Sequence, residues 1–224
     1  MDQSSSAFGN LVSIDFSDKE NPLVKPIAFD FSDSGYALCI IDTKASHADL
    51  TDEYAAIPSE MKKIAGFFGK EVLSEVPEED FSVNIPALRK EYGDRAVLRA
   101  FHFYKENARV EKETKALENG DFECFLKLVK ESGHSSYMYL QNVIPAGYKE
   151  QQDVALALAL CDDLLKEKGA FRVHGGGFAG TVQAFVPLEV LEEFKNGIEN
   201  ILGKETCKVL KIRLHGGTEM EIED

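Results

Sequence analysis

The 224-residue chain has no run of eighteen apolar residues, so no segment reads as a membrane-spanning helix. Its start, MDQSSSAFGN, lacks both a basic region and an apolar stretch of the kind that directs export, and a cytoplasmic location is expected. Basic clusters are also missing. With 39 acidic and 25 basic residues the net charge is −14, which disfavours nucleic acid, whose binding rests on cations replacing counterions at phosphates. Four cysteines, at 39, 124, 161 and 207, are too far apart to form a C-x-x-C ligand pair, and the five histidines show no metal-binding spacing. Cys39 and Cys161 lie in apolar runs and are expected to be buried, reduced core residues.

What is present is globular, with 44% hydrophobic residues. LVSIDF alternates in the manner of a strand, and KPIAFDF and YALCIID, separated by SDSG, read as a hairpin whose second strand is well buried. Helices are predicted over 52–68, with Thr51 or Asp52 as the cap, and over 94–118, from an Asp94 cap to the Asn119-Gly120 stop. Another is predicted after an Asp121 cap. QQDVALALALCDDLLKEKG is apolar nearly all round, which predicts a helix buried on most of its faces. AFRVH and TVQAFV read as strands, Pro187 as the opening of a helix through Leu202, and TCKVLKIRL as a closing strand. That helix should face the core with Leu191, Phe194, Ile198, Ile201 and Leu202. Strands on either side of a helical middle predict an α+β layer sandwich with an antiparallel sheet packed against helices.

RVHGGGFAGTVQAFVP places Gly175, Gly177 and Gly180 in the letter pattern G-x-G-x-x-G. A dinucleotide loop would need a helix after the glycines, whereas TVQAFVP is β-rich and ends in proline. A phosphate loop would need Lys-Ser or Lys-Thr there. The stretch therefore reads as strand–loop–strand, in which the glycines permit positive φ and close backbone approach.

Taken with other segments, that loop resembles the third signature motif of the GHMP kinases, most closely that of the galactokinases. MDQSSSAFGNLVSIDF is similar to the galactokinase Met-Asp-Gln segment, and DTKASHADLTDEYAAI to the strand, loop and helix carrying a sugar-binding tyrosine. RAFHFYKENARVEKETKALENGDFECFLKLVKESGHSSYMYLQN resembles the family's long helical hairpin. The resemblance implies a catalytic role for Asp2 at the sugar's anomeric hydroxyl and a sugar-binding role for Tyr54, which on its own reads equally as a half-buried helix-face aromatic. It also implies that Gly175, Gly176, Gly177 and Gly180 line the cleft, and that no metal ligand lies in this chain. His174 is expected to be structural. Lys44 departs from the Asn of many galactokinases, Ala55 and Ile57 from polar residues, and Ala179 from a glycine.

Two galactokinase motifs are not found: the Arg-Asn-x-x-x-Gly-Glu-His sugar motif and the Gly/Ser-rich ATP loop. The resemblance thus implies a C-terminal portion, residues 1–224, of an enzyme that phosphorylates galactose or a related sugar with ATP and Mg²⁺. Residues 1–45 would form a strand-rich segment against a missing N-terminal half, and 46–224 the helical and αβ portion. Little turnover is expected of the chain alone, and self-association would cover the apolar face left by that half. The alternative is a non-catalytic galactokinase-like sugar-sensing or interaction module.

Overall fold

The computed structural model describes residues 6–18, 20–45 and 50–217. Strands β1 (Leu11–Asp15), β2 (Leu23–Ile27) and β3 (Tyr36–Asp42) precede helices α1 (Thr51–Phe67), α2 (Glu78–Tyr92), α3 (Asp94–Glu118), α4 (Phe122–Ser135) and α5 (Asp153–Leu165). The chain then forms β4 (Ala170–His174), β5 (Thr181–Pro187), α6 (Leu191–Leu202) and β6 (Cys207–Leu210). The α+β layer sandwich expected from the sequence is what forms.

Four antiparallel strands make the main sheet, in the order β4-β5-β3-β6. Alternation along the strands sends Ala37, Cys39, Ile41, Val182, Ala184 and Val186 to one face. There they pack on Val154, Ala157, Cys161 and Leu165 of α5 and on Phe194 and Ile198 of α6. Ala170 and Phe185 belong to a second cluster with Phe122, Leu126 and Val129 of α4 and with Ile27 and Phe31. Helices α1, α2 and α3 close a third cluster around Phe81, Ile64, Leu88 and Ala100. The expected reduced core thiols are present: Cys39, Cys161 and Cys207 are free and buried. Contact with Cys207 and burial push the Cys39 thiol up, and burial does the same for Cys161.

The KPIAFDF–YALCIID hairpin is not formed. β2 pairs with β1, Leu11 opposite Ile27, while β3 lies between β5 and β6. The Asp30 carboxylate accepts from the Ser32 amide and starts a 3-10 turn over Phe31–Ser34, which carries the chain from one layer to the next. Phe29 and Phe31 thereby leave the strand and pack on Phe122, at ring-centroid distances of 5.5 and 5.8 Å. Helix α5 is buried along the single stripe Val154, Ala157, Cys161 and Leu165, and Leu156 is 49% exposed, so its all-round apolar pattern overstates its burial. Likewise Ile201 of α6 faces outward, and Pro187 ends β5 ahead of a 3-10 turn. Only Cys207–Leu210 of the predicted closing strand pairs, and Leu210 and Leu214 are exposed.

At the helix starts, Asp121 caps α4 as expected, its carboxylate 3.0 Å from the Cys124 amide. Asp94 instead pairs with Arg89 at 2.5 Å, and Gly93, at φ 83°, holds the cap position of α3. Leu50 precedes α1 without a side-chain cap.

A polar network joins α3 and α4 to β4. Glu106 accepts from Ser132, Arg109 and Arg172, and His102 Nδ1 lies 2.9 Å from the Ser135 hydroxyl. Further along α3, burial pushes the Glu113 carboxyl up to about 7; Glu106 adds to the shift, while Arg172 and Arg109 oppose it. Above the ordinary value of 4.5 the folded state therefore holds a proton that the unfolded state releases. This contribution is intact below about 4.5 and is lost as the pH rises through about 7. The Glu113→Gln variant is expected to unfold at a higher temperature than the parent at pH 8, with the difference shrinking toward pH 5. Thermal melts across that range measure it.

Candidate functional site

Four segments converge at one end of the main sheet: the end of β3, the β4–β5 connection, the first turn of α1 and the chain leaving α4. The glycine stretch connects two paired strands, with His174 opposite Thr181, as its β-rich sequel requires. Gly175, Gly177 and Gly180 all have positive φ, at 73°, 82° and 88°. Thr43, just after β3, anchors the far end of this loop: its amide and its hydroxyl donate to the Gly180 carbonyl at 2.9 and 2.7 Å. Lys44 follows at φ 59°, with its amide bonded to the Asp42 carboxylate at 2.9 Å. A lysine enters the left-handed region less easily than Asn does.

Tyr54 meets the loop directly. Its hydroxyl donates to the Gly177 carbonyl at 2.8 Å, and its ring lies edge-on to Phe178 with centroids 5.5 Å apart. A Cβ on Gly176 would sit 2.9 Å from the tyrosine ring, so a bare backbone there lets the ring close down. Burial raises the phenol's pKa, which keeps the proton that this bond uses. His174 is exposed and bonds Gln183 Oε1 through Nδ1 at 3.0 Å.

Asn142 escaped the sequence reading. It is 2% exposed and holds the loop from the other side. Its carbonyl accepts from the Phe178 amide at 2.5 Å, and its side-chain amide donates to the Gly176 carbonyl at 3.1 Å. Nothing local marks it: SSYMYLQNV reads as the end of a helix, and the contact spans 34 residues. The Ala179 amide bonds the Gly177 carbonyl at 2.7 Å. Phe178 and Ala179 thus turn their amides inward, and any anion at this loop would have to use the amides of its glycines. Beyond Phe178 and Ala179 lies a cleft of 210 Å³, lined also by Leu50, Val143, Tyr148 and Gln152. Larger hollows lie elsewhere, at Tyr36, Lys168 and Glu189 (480 Å³) and between α4 and α5 (400 Å³). Among the described residues no three metal-binding side chains cluster. Asp2 lies outside the described residues.

No protein-family model matches the chain. It is 30% identical over 210 residues to a galactokinase of Glaesserella parasuis serovar 5 (strain SH0165), covering 92% of this chain and 51% of the relative. A galactokinase of Streptomyces coelicolor is 27% identical over 212 residues, with 95% and 52% covered. The chain spans about half the length of the curated relatives it matches. Among solved structures, a Lactococcus lactis galactokinase complexed with galactose superposes with a TM-score of 0.67 at 22% identity, over 95% of this chain and 54% of that one. Mevalonate diphosphate decarboxylase from Staphylococcus aureus does so at 0.56 and 12% identity, over 95% and 54%. The layer sandwich is a fold that this chain shares with these structures.

Proposed function

We propose that this galactokinase homologue forms the C-terminal wall of a sugar-kinase cleft, in a reaction converting galactose and ATP to galactose 1-phosphate and ADP. The sugar's anomeric oxygen would bond to the γ-phosphorus of ATP, the bond from that phosphorus to the β–γ bridging oxygen would break, and ADP would leave. Asp2 takes or orients the proton of the attacking hydroxyl, as a carboxylate at such a nucleophile can. Tyr54 backs the sugar, and the glycines from Gly175 to Gly180 line the cleft. ATP, with Mg²⁺, supplies the phosphoryl group; the nucleotide's main loop belongs to the complementary N-terminal half, and the setting is cytoplasmic.

One observation supports this reading above the others. Tyr54 and the glycine stretch resemble two separate galactokinase motifs, and a 2.8 Å hydrogen bond joins them across 123 residues.

Joining the chain to the N-terminal half of a curated galactokinase is expected to give galactose-dependent ADP release, with the 224-residue chain alone giving little. Asp2→Asn in the joined protein should lower kcat at least a hundredfold, in line with the loss of a general base. Tyr54→Phe should act mainly on the KM for galactose. Strong ADP release from the chain alone, or full activity of Asp2→Asn, would count against the proposal.

A further inference from the structure

Arg99, on α3, is fully buried, an unusual place for a guanidinium. Its Nη1 donates to Glu60 Oε2 at 2.8 Å and its Nε to the Leu140 carbonyl at 3.2 Å. Those two acceptors belong to the two sides of the candidate site. Glu60 is on α1, the helix whose first turn carries Tyr54. Leu140 ends the π-helical turn Ser136–Leu140, after which Gln141 turns the chain at φ 56° and Asn142 takes hold of the glycine loop.

We propose that Arg99 and Glu60 are the positioning unit of the cleft wall. One guanidinium ties the helix bearing Tyr54 to the corner bearing Asn142, so both ends of the Tyr54–Gly177 contact are set from a single buried charge. Arginine is required because its planar fork serves two acceptors at once, whereas a lysine ammonium reaching Glu60 would release the Leu140 carbonyl. Glu60 uses its other oxygen, Oε1, for a second salt bridge, from Arg95 at 2.5 Å. The consequence for catalysis rests on the sugar-kinase reading; the mechanical claim does not.

The test uses the full chain and no substrate, so its failure is separate from failure of the kinase assay. In Arg99→Lys, exchange of the Phe178 amide, followed by NMR, is expected to quicken at least tenfold while the β3–β5 ladder keeps its protection. The Tyr54 ring resonance, assigned with Tyr54→Phe, should shift with it. Glu60→Asp, which withdraws the acceptor by one methylene while keeping its charge, serves as the second variant if Arg99→Lys does not fold. In that case Glu60→Asp should raise Phe178 exchange while the β3–β5 ladder keeps its protection. Phe178 exchange within twofold of the parent in Arg99→Lys, or in Glu60→Asp where that variant stands in, would overturn the proposal. So would a uniform rise across Phe178, β3 and β5.

Discussion

Gly177→Ala is expected to destabilise the protein by about 2–5 kcal/mol, the sum of a strained backbone and an overfilled contact. Gly177 has φ 82°, a conformation that an L side chain adopts only at a cost. The added Cβ would also lie 2.6 Å from Asn142 Nδ2 and 2.8 Å from its Cγ, with the Asn142 carbonyl closer still. That carbonyl already accepts from the Phe178 amide, so it cannot retreat without breaking the bond that holds the loop. Gly175 separates the two effects. Its φ is 73°, yet a Cβ there meets nothing within 4 Å. Gly175→Ala should therefore cost only the backbone part, about 1–2 kcal/mol. Denaturant midpoints of the two variants measure the difference, and equal losses would mean that the Asn142 clasp contributes nothing.

This contrast also marks what the sequence could and could not convey. The glycine stretch was readable as strand–loop–strand because β-branched residues and Pro187 follow it, and local chemistry decides that question. The extent of helix α3 was readable, since a long periodic segment ends at the Asn119-Gly120 pair, but its cap was not: Gly93, not Asp94, holds that position. Helix α2 escaped the reading because Pro86 interrupts it and Ser82, Val83 and Asn84 weaken its pattern. The partner of β2 was not readable either. Pairing is a tertiary choice, and the Phe29 and Phe31 side chains that read as strand residues are spent on Phe122 instead. The two motifs of the candidate site were visible singly, through their resemblance to galactokinases. Their meeting was not, because the Tyr54–Gly177 bond and the Asn142 clasp depend on where α1 and the 141–143 segment come to rest. Glu60 and Arg99 look in the sequence like ordinary charges on helices; only their burial gives them a different meaning.

Glu60→Ala is expected to cost about 3–5 kcal/mol, because removing one partner of a buried pair strands the other charge. The Arg99 side chain is 1% exposed, and burial lowers its pKa while Glu60 is the main group that offsets the loss of water. The reverse substitution is gentler. In Arg99→Met the apolar stem is retained, and Glu60, at 14% exposure, keeps Arg95 as a partner. Its cost should be nearer 1–3 kcal/mol, mostly the Leu140 carbonyl left without its donor. The double variant Glu60→Ala/Arg99→Met should then be more stable than Glu60→Ala alone, since no guanidinium remains buried without a counter-charge. Urea titrations of the three proteins decide the order. If Arg99→Met were the most damaging of the three, the dominant contribution would be Arg99's hold on the Leu140 corner rather than its charge pairing with Glu60.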